Sequence, residues 1–168
     1  MILVALGSNL PAAGRSDPRD SCEAALAMLS ERGVAVARRS RWWRTAPVPI
    51  SDQPWFCNGV ARVESALGPA ELMALLHGIE DALGRVRVVR NEARVIDLDL
   101  LAHGDTVLRG AEGPVLPHPR LHERAFVLLP LAEVAPGWRH PVLGLTVEQM
   151  LAALPAGQAA EPMAEGPG

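Results

Sequence analysis

The sequence contains no lysine; all sixteen of its basic residues are arginine. A phosphate loop of the GxxxxGK[ST] type is therefore excluded, because no residue can carry the ammonium that such a loop needs. Tyrosine is also missing and phenylalanine occurs only twice, so ring stacking must come from those two residues or from the four tryptophans. The two cysteines, Cys22 and Cys57, show neither CxxC nor any ligand-like spacing. That removes a disulfide framework and a cysteine zinc cluster, and leaves ordinary thiols of a reducing compartment, the cytoplasm. No apolar run nears the roughly eighteen residues that span a bilayer, so no membrane association is expected. The opening MILVALGSNL lacks the basic start and cleavage site of a signal peptide and reads as a first strand cut by Gly7. A net charge of −3 argues against a general nucleic-acid binder, which needs a basic surplus to displace phosphate counterions.

With 168 residues, 49% of them hydrophobic, the chain suffices for one packed domain and is short for two. That domain is assigned to residues 1–154, and PAGQAAEPMAEGPG, residues 155–168, reads from its Pro, Gly and Ala content as a disordered tail. The expected order is a strand (about 2–6), a helix (about 18–32), and strands at about 34–44 and about 56–66. A helix opened by Pro69 and closed by Gly84 follows, then the RVIDLDLL strand at 94–101, a short helix from Leu121 and a last helix over Thr146–Leu154. This βαββαβ order indicates an α+β fold, a ferredoxin-like antiparallel sheet sandwich with helices on one face. Two long proline-rich loops, APVPISDQP and GPVLPHPRL, become the natural walls of a site.

The chemistry concentrates between Arg85 and Asp99, RVRVVRNEARVIDLD. In a strand Asp97 and Asp99 share one face, roughly 6.5–7 Å apart along the backbone, while Ile96, Leu98 and Leu100 take the other. Paired carboxylates hold Mg²⁺, and arginines hold phosphate oxygens through bidentate charge-assisted bonds, so the stretch describes a polyphosphate site. The alternative is a solvated charge run that neutralises itself. Glu80, in the last turn of its helix, is disfavoured by the helix dipole and calls for a cationic partner, Arg85 or Arg87 if it is exposed. His118 stands between Pro117 and Pro119, near the start of a helix and pointing outward, and Pro119 breaks any zinc pair with His122. Arg124, near a helix start, is a phosphate-ligand candidate or surface charge. Phe56 and Phe126 could sandwich a flat heterocycle while Asn58 bonds its edge, although either ring alone is more often core. Trp42 and Trp43, adjacent in a strand, face opposite ways.

Five motifs then recur in order over residues 2–150: LGSNL at 6–10, TxPxxxxDQPxFxN at 45–58, GRVR at 84–87, RxIDLDLL at 94–101 and PHPRLHERAFVLLPLAEVAP at 117–136. Together they resemble the 6-hydroxymethyl-7,8-dihydropterin pyrophosphokinase family of folate biosynthesis. The resemblance implies diphosphate transfer from ATP to the pterin hydroxymethyl group by a monomer acting on small molecules. It implies that Asp97 and Asp99 hold two Mg²⁺ ions, and that Arg85 and Arg94, on a mobile loop, act on the triphosphate. Glu80, Arg87, Leu100, His118 and Arg124 are implied as nucleotide contacts. Thr45, Pro47, Val48, Phe56, Asn58 and Phe126 are implied as the pterin pocket. Strict strand parity would set Arg94 opposite the aspartates, so this assignment needs Arg94 to precede the regular strand. The chain departs from the family pattern in reading RNEAR where RWGPR is frequent, and in Pro119 where an aromatic often stands. A phosphodiesterase using the same aspartates, and a nucleotide-binding module without catalysis, are the rival classes.

Overall fold

Hydrophobic residues alternate with a period of two along the opening strand, and both sets are apolar. Ile2, Val4 and Leu6 face one way and Leu3 and Ala5 the other, which requires a sheet covered on both sides. A computed structural model describes residues 1–10, 17–47, 50–84, 95–111 and 113–164. Its elements are β1 (Ile2–Ser8), α1 (Pro18–Glu31), β2 (Ala35–Arg39), β3 (Trp43–Thr45), β4 (Phe56–Glu64), α2 (Pro69–Ala82), β5 (Asp97–His103), β6 (Leu108–Arg109), β7 (Val115–Leu116), α3 (Ala125–Val134), α4 (Val147–Ala152) and β8 (Ala160–Pro162). A 3₁₀ turn, Leu121–Glu123, precedes α3. The main sheet is antiparallel in the order β5-β1-β4-β3-β8, with β2 also paired to β4.

The fold is α+β, as read from the element order, but the helices are not confined to one face. α1 and α2 cover Ile2, Val4, Leu6, Ala61 and Val63. The other face, with Leu3, Val60 and Leu101, is equally apolar and is covered by α3 and α4 through Val127, Leu128, Leu131, Val147 and Met150. Local signals set the helix ends. Asp17 caps α1 by accepting the Asp20 N–H at 3.2 Å, and Pro18 opens it. Gly84, at φ +89°, terminates α2. Thr146 and Gln149 form a reciprocal capping box on α4.

Three expectations change. The strand assigned to about 34–44 is two strands, because at Ser40 the chain leaves the ladder: the Ser40 hydroxyl accepts the Val60 N–H at 3.0 Å. Trp42 then turns into the first core and lies against Gly59. Gly7 does not cut β1, which continues to Ser8. The tail read as disordered contains β8, paired to β3 with Thr45 opposite Ala160 and Trp43 opposite Pro162.

Candidate active site

On the α3 side of the sheet the residue rows change character along the strands. Under α3 they carry Leu3 and Leu101; one step further the row runs Val60, Ala5, Asp99; the last row runs Trp43, Asn58, Gly7, Asp97 across four strands. The apolar rows are sealed by α3, which starts only at Ala125, so the polar end of the same face stays open. A cleft forms there, and it is lined by Thr45, Pro47, Phe56, Asn58, Asp97, Asp99, Arg124 and Phe126, eight of the residues singled out from sequence.

Both aspartates are half-buried and share a face, as the strand period requires. Their cross-strand neighbours are Gly7 and Ala5, so no bulky side chain stands beside them on β1. Two carboxylates form an oxygen-only donor set suited to a hard cation such as Mg²⁺, which leaves most of its coordination to water and phosphate oxygens. Among the described residues no group of three or more His, Cys, Asp or Glu could hold a metal by itself.

Asn58 is buried and its orientation is fixed from two sides. Its Nδ2 donates to the Thr45 hydroxyl at 2.5 Å. Its Oδ1 lies over Gly7, where an added Cβ would approach it to 2.5 Å. Gly7 therefore provides the space in which the amide lies. The Arg124 guanidinium sits 5.3 Å from the Phe126 ring centroid, a cation–π contact that places a positive charge beside the ring. On the opposite wall Asn9 Nδ2 donates to Gln53 Oε1 and to the Pro54 carbonyl, both at 3.2 Å, which ties the loop before Phe56 to the end of β1.

His118 is half-buried rather than pointing outward, and no helix begins at Pro119. Its backbone N–H donates to the Leu101 carbonyl at 2.9 Å, which fastens the Pro-His-Pro segment to β5. Burial, and next the Arg124 charge, push its imidazole down to about 4, with Asp97 opposing. The ring is thus neutral near pH 7. Its Nδ1 accepts the Arg120 N–H at 3.2 Å, so the proton of the neutral ring resides on Nε2.

Glu80 is buried rather than exposed, and accepts the Leu98 N–H at 2.8 Å. It fixes the start of β5 between the two aspartates. Leu100 packs its side chain in the first core, on the face away from the cleft. β5 begins at Asp97. Arg85, Arg87, Arg94 and Val48 lie outside the described residues. Gly7, Asn9, Ser51 and Gln53 belong to the site or its walls and were not assigned roles from sequence, although LGSNL and DQP both stood out as motifs.

Fold and cleft together define an α+β domain with a polar cleft at the open end of its sheet. A family model described as 7,8-dihydro-6-hydroxymethylpterin-pyrophosphokinase matches residues 3–136, and the chain belongs to that family. It is 40% identical over 158 residues to the 2-amino-4-hydroxy-6-hydroxymethyldihydropteridine pyrophosphokinase of Pseudomonas aeruginosa, covering 92% of this chain and 91% of that protein. It is 38% identical over 123 residues to the folic acid synthesis protein fol1 of Pneumocystis carinii; that match covers 73% of this chain but only 16% of the longer protein. A crystal structure of a Plasmodium falciparum HPPK-DHPS triple mutant superposes with a TM-score of 0.71 over 90% of this chain and 43% of that one, at 14% identity, a likeness of fold. The resemblance drawn from the five motifs is borne out.

Proposed function

We propose that the protein transfers diphosphate from ATP to the hydroxymethyl oxygen of 6-hydroxymethyl-7,8-dihydropterin, releasing AMP. The observation that carries this reading is the single cleft in which Asp97 and Asp99 stand beside Asn58, Phe56 and Phe126. In the reaction the hydroxymethyl oxygen bonds to the β-phosphorus as the bond from that phosphorus to the α,β-bridging oxygen breaks, and the hydroxyl proton is lost to solvent. Phe56 and Phe126 supply flat apolar walls for the heterocycle, and the fixed Asn58 amide reads its edge. Asp97 and Asp99 would hold Mg²⁺, two ions in the full reading, which when bound offsets phosphate charge and acidifies the hydroxyl.

Arg124 and the Nε2–H of neutral His118 are the donors for phosphate oxygens, with Arg85, Arg87 and Arg94 proposed as further triphosphate ligands. His118 suits a donor better than a base, since its Nδ1 is taken by the Arg120 N–H. Positioning and electrostatics then supply most of the acceleration. The scaffold is read as ferredoxin-like, supported by the order β1-α1-β2-β3-β4-α2-β5, in which β2 and β3 both pair with β4 and together take the place of one strand, and by the placement of β1 between β4 and β5. We take it to act as a monomer on small molecules.

The test is incubation with Mg-ATP, with and without the dihydropterin, followed by separation of the nucleotides. AMP formed only with the pterin is the expected result. ADP would mean single phosphoryl transfer. Folded protein that binds ATP without turnover would point to a binding module.

A further inference from the structure

Arg124 holds the N-cap position of α3, yet its side chain makes no capping bond, because guanidinium carries donors only and cannot accept a helix N–H. The acceptor comes from the C-terminal segment. Gln158 Oε1 accepts the Ala125 N–H at 2.8 Å, and the same carboxamide donates through Nε2 to the Glu123 carbonyl at 2.9 Å. Gln158 therefore clamps the backbone on both sides of Arg124, one residue away from Phe126.

The segment that carries Gln158 is itself held against the opposite wall of the cleft. The Ala46 N–H donates to the Ala159 carbonyl at 3.0 Å, β8 pairs with β3 from Thr45 to Trp43, and the Met163 N–H donates to the Trp42 carbonyl at 2.8 Å. Glu161 pairs with Arg44 at 3.1 Å, and the Arg44 guanidinium stacks 4.2 Å from the ring centroid of Trp55, next to Phe56. One short stretch thus fastens Thr45 and Ala46 on one side and Arg124 on the other. It lies beyond residues 3–136, the span shared with the family model.

We propose that Gln158 is a positioning residue for the transfer site: it caps α3 from outside the helix, so that Arg124 and Phe126 are held in register with Thr45 and Asn58 across the cleft. The proposal rests on the diphosphate-transfer reading. An arginine at the N-cap would otherwise leave the Ala125 N–H, the first of the helix, unpaired.

The experiment compares the full chain with Gln158→Ala and Gln158→Glu. Glutamate keeps an acceptor for the Ala125 N–H, at a helix N-terminus where negative charge is favourable, and loses only the donor to Glu123. Affinity for a non-hydrolysable ATP analogue with Mg²⁺ is measured by calorimetry, KM and kcat for both substrates in the AMP assay, and the thermal midpoint alongside. Gln158→Ala is expected to raise Kd for the analogue and both KM values about tenfold, with the midpoint lowered by less than about 5 °C. Gln158→Glu should recover most of the loss. Unchanged Kd and KM in Gln158→Ala would overturn the proposal. So would weakened binding that tracks a large fall in midpoint and is not recovered by glutamate, since the residue would then only support the fold. Absence of AMP from the wild-type chain would refute the transfer reading instead, and the Kd comparison would still decide the role of Gln158.

Discussion

Asp97 and Asn differ by one oxygen and one charge, which makes their exchange the sharpest probe of the cleft. Asp97 borders Gly7 across the ladder and lies on the open face, so Asp97→Asn should leave the strand pairing and the apolar rows untouched. It halves the charge available to a hard cation. Turnover is expected to fall by about a thousandfold or more, with an unchanged circular-dichroism spectrum; near-normal activity would remove the carboxylate assignment. His118 makes a prediction of opposite kind. Its pKa is lowered to about 4 in the fold from the usual 6.5, so between those values the unfolded chain binds the extra proton. Stability from the neutral ring is complete above the unfolded value and is lost as pH falls through the window toward 4. His140, also lowered by burial, adds in the same direction. Urea unfolding from pH 7 to pH 4.5 should show wild type losing stability faster than His118→Gln, by up to about 1.4 kcal/mol per pH unit. Parallel curves would mean the ring titrates normally. Asp97, Asp99 and Asn58 were legible from sequence because their residue types are at odds with an ordinary strand, and the phenylalanines because the chain has only two. The roles of Gly7 and Glu80 were not, since what each does depends on a neighbour about fifty and eighteen residues away, Asn58 and Leu98.

At the scale of elements, the break between β2 and β3 is where local pattern and tertiary packing disagree. The stretch from Val34 to Arg44, free of Gly and Pro, would continue as one strand if only its local residue types mattered. Instead Trp42 fills the first core, with its Nε1 donating to Glu23 Oε1 at 2.8 Å, and its ring occupies the space that a Cβ on Gly59 would need, 2.5 Å from that position. Gly59→Ala should therefore cost about 1–3 kcal/mol in urea unfolding. The cost should shrink when Trp42→Leu is already present, a non-additive pair that a double-mutant cycle resolves. Additive costs would show that the ring does not impose the break. The helices were easier to read than this strand, since Pro18, Pro69, Thr146 and Gly84 mark their ends by local chemistry alone. β8 was invisible for the converse reason. Its three residues, Ala-Glu-Pro, have little strand propensity, and they pair because the β3 edge is available to them.

For the molecule as a whole, the sheet separates two cores that need not serve the site equally. The first, between α1, α2 and the sheet, carries Leu29 at 0% exposure on a helix that contributes no residue to the cleft. The second carries Leu128, also at 0%, on α3, two residues after Phe126 and four after Arg124. Its existence could not be read from element order, which is satisfied by helices on one face; the clue lay in Leu3, Val60 and Leu101, apolar residues on what had been taken as an uncovered side. Leu29→Ala and Leu128→Ala each remove a fully buried side chain and should each cost about 2–5 kcal/mol. Only the second cavity lies under the residues that face the ligand. Where both variants remain folded, Leu128→Ala is expected to raise substrate KM several-fold and Leu29→Ala to leave it within about twofold, because a packed interior transmits strain chiefly to what rests on it. Equal effects on KM at matched loss of stability would mean that the two cores act on the cleft through the sheet as one unit, and that α3 is no more its support than α1.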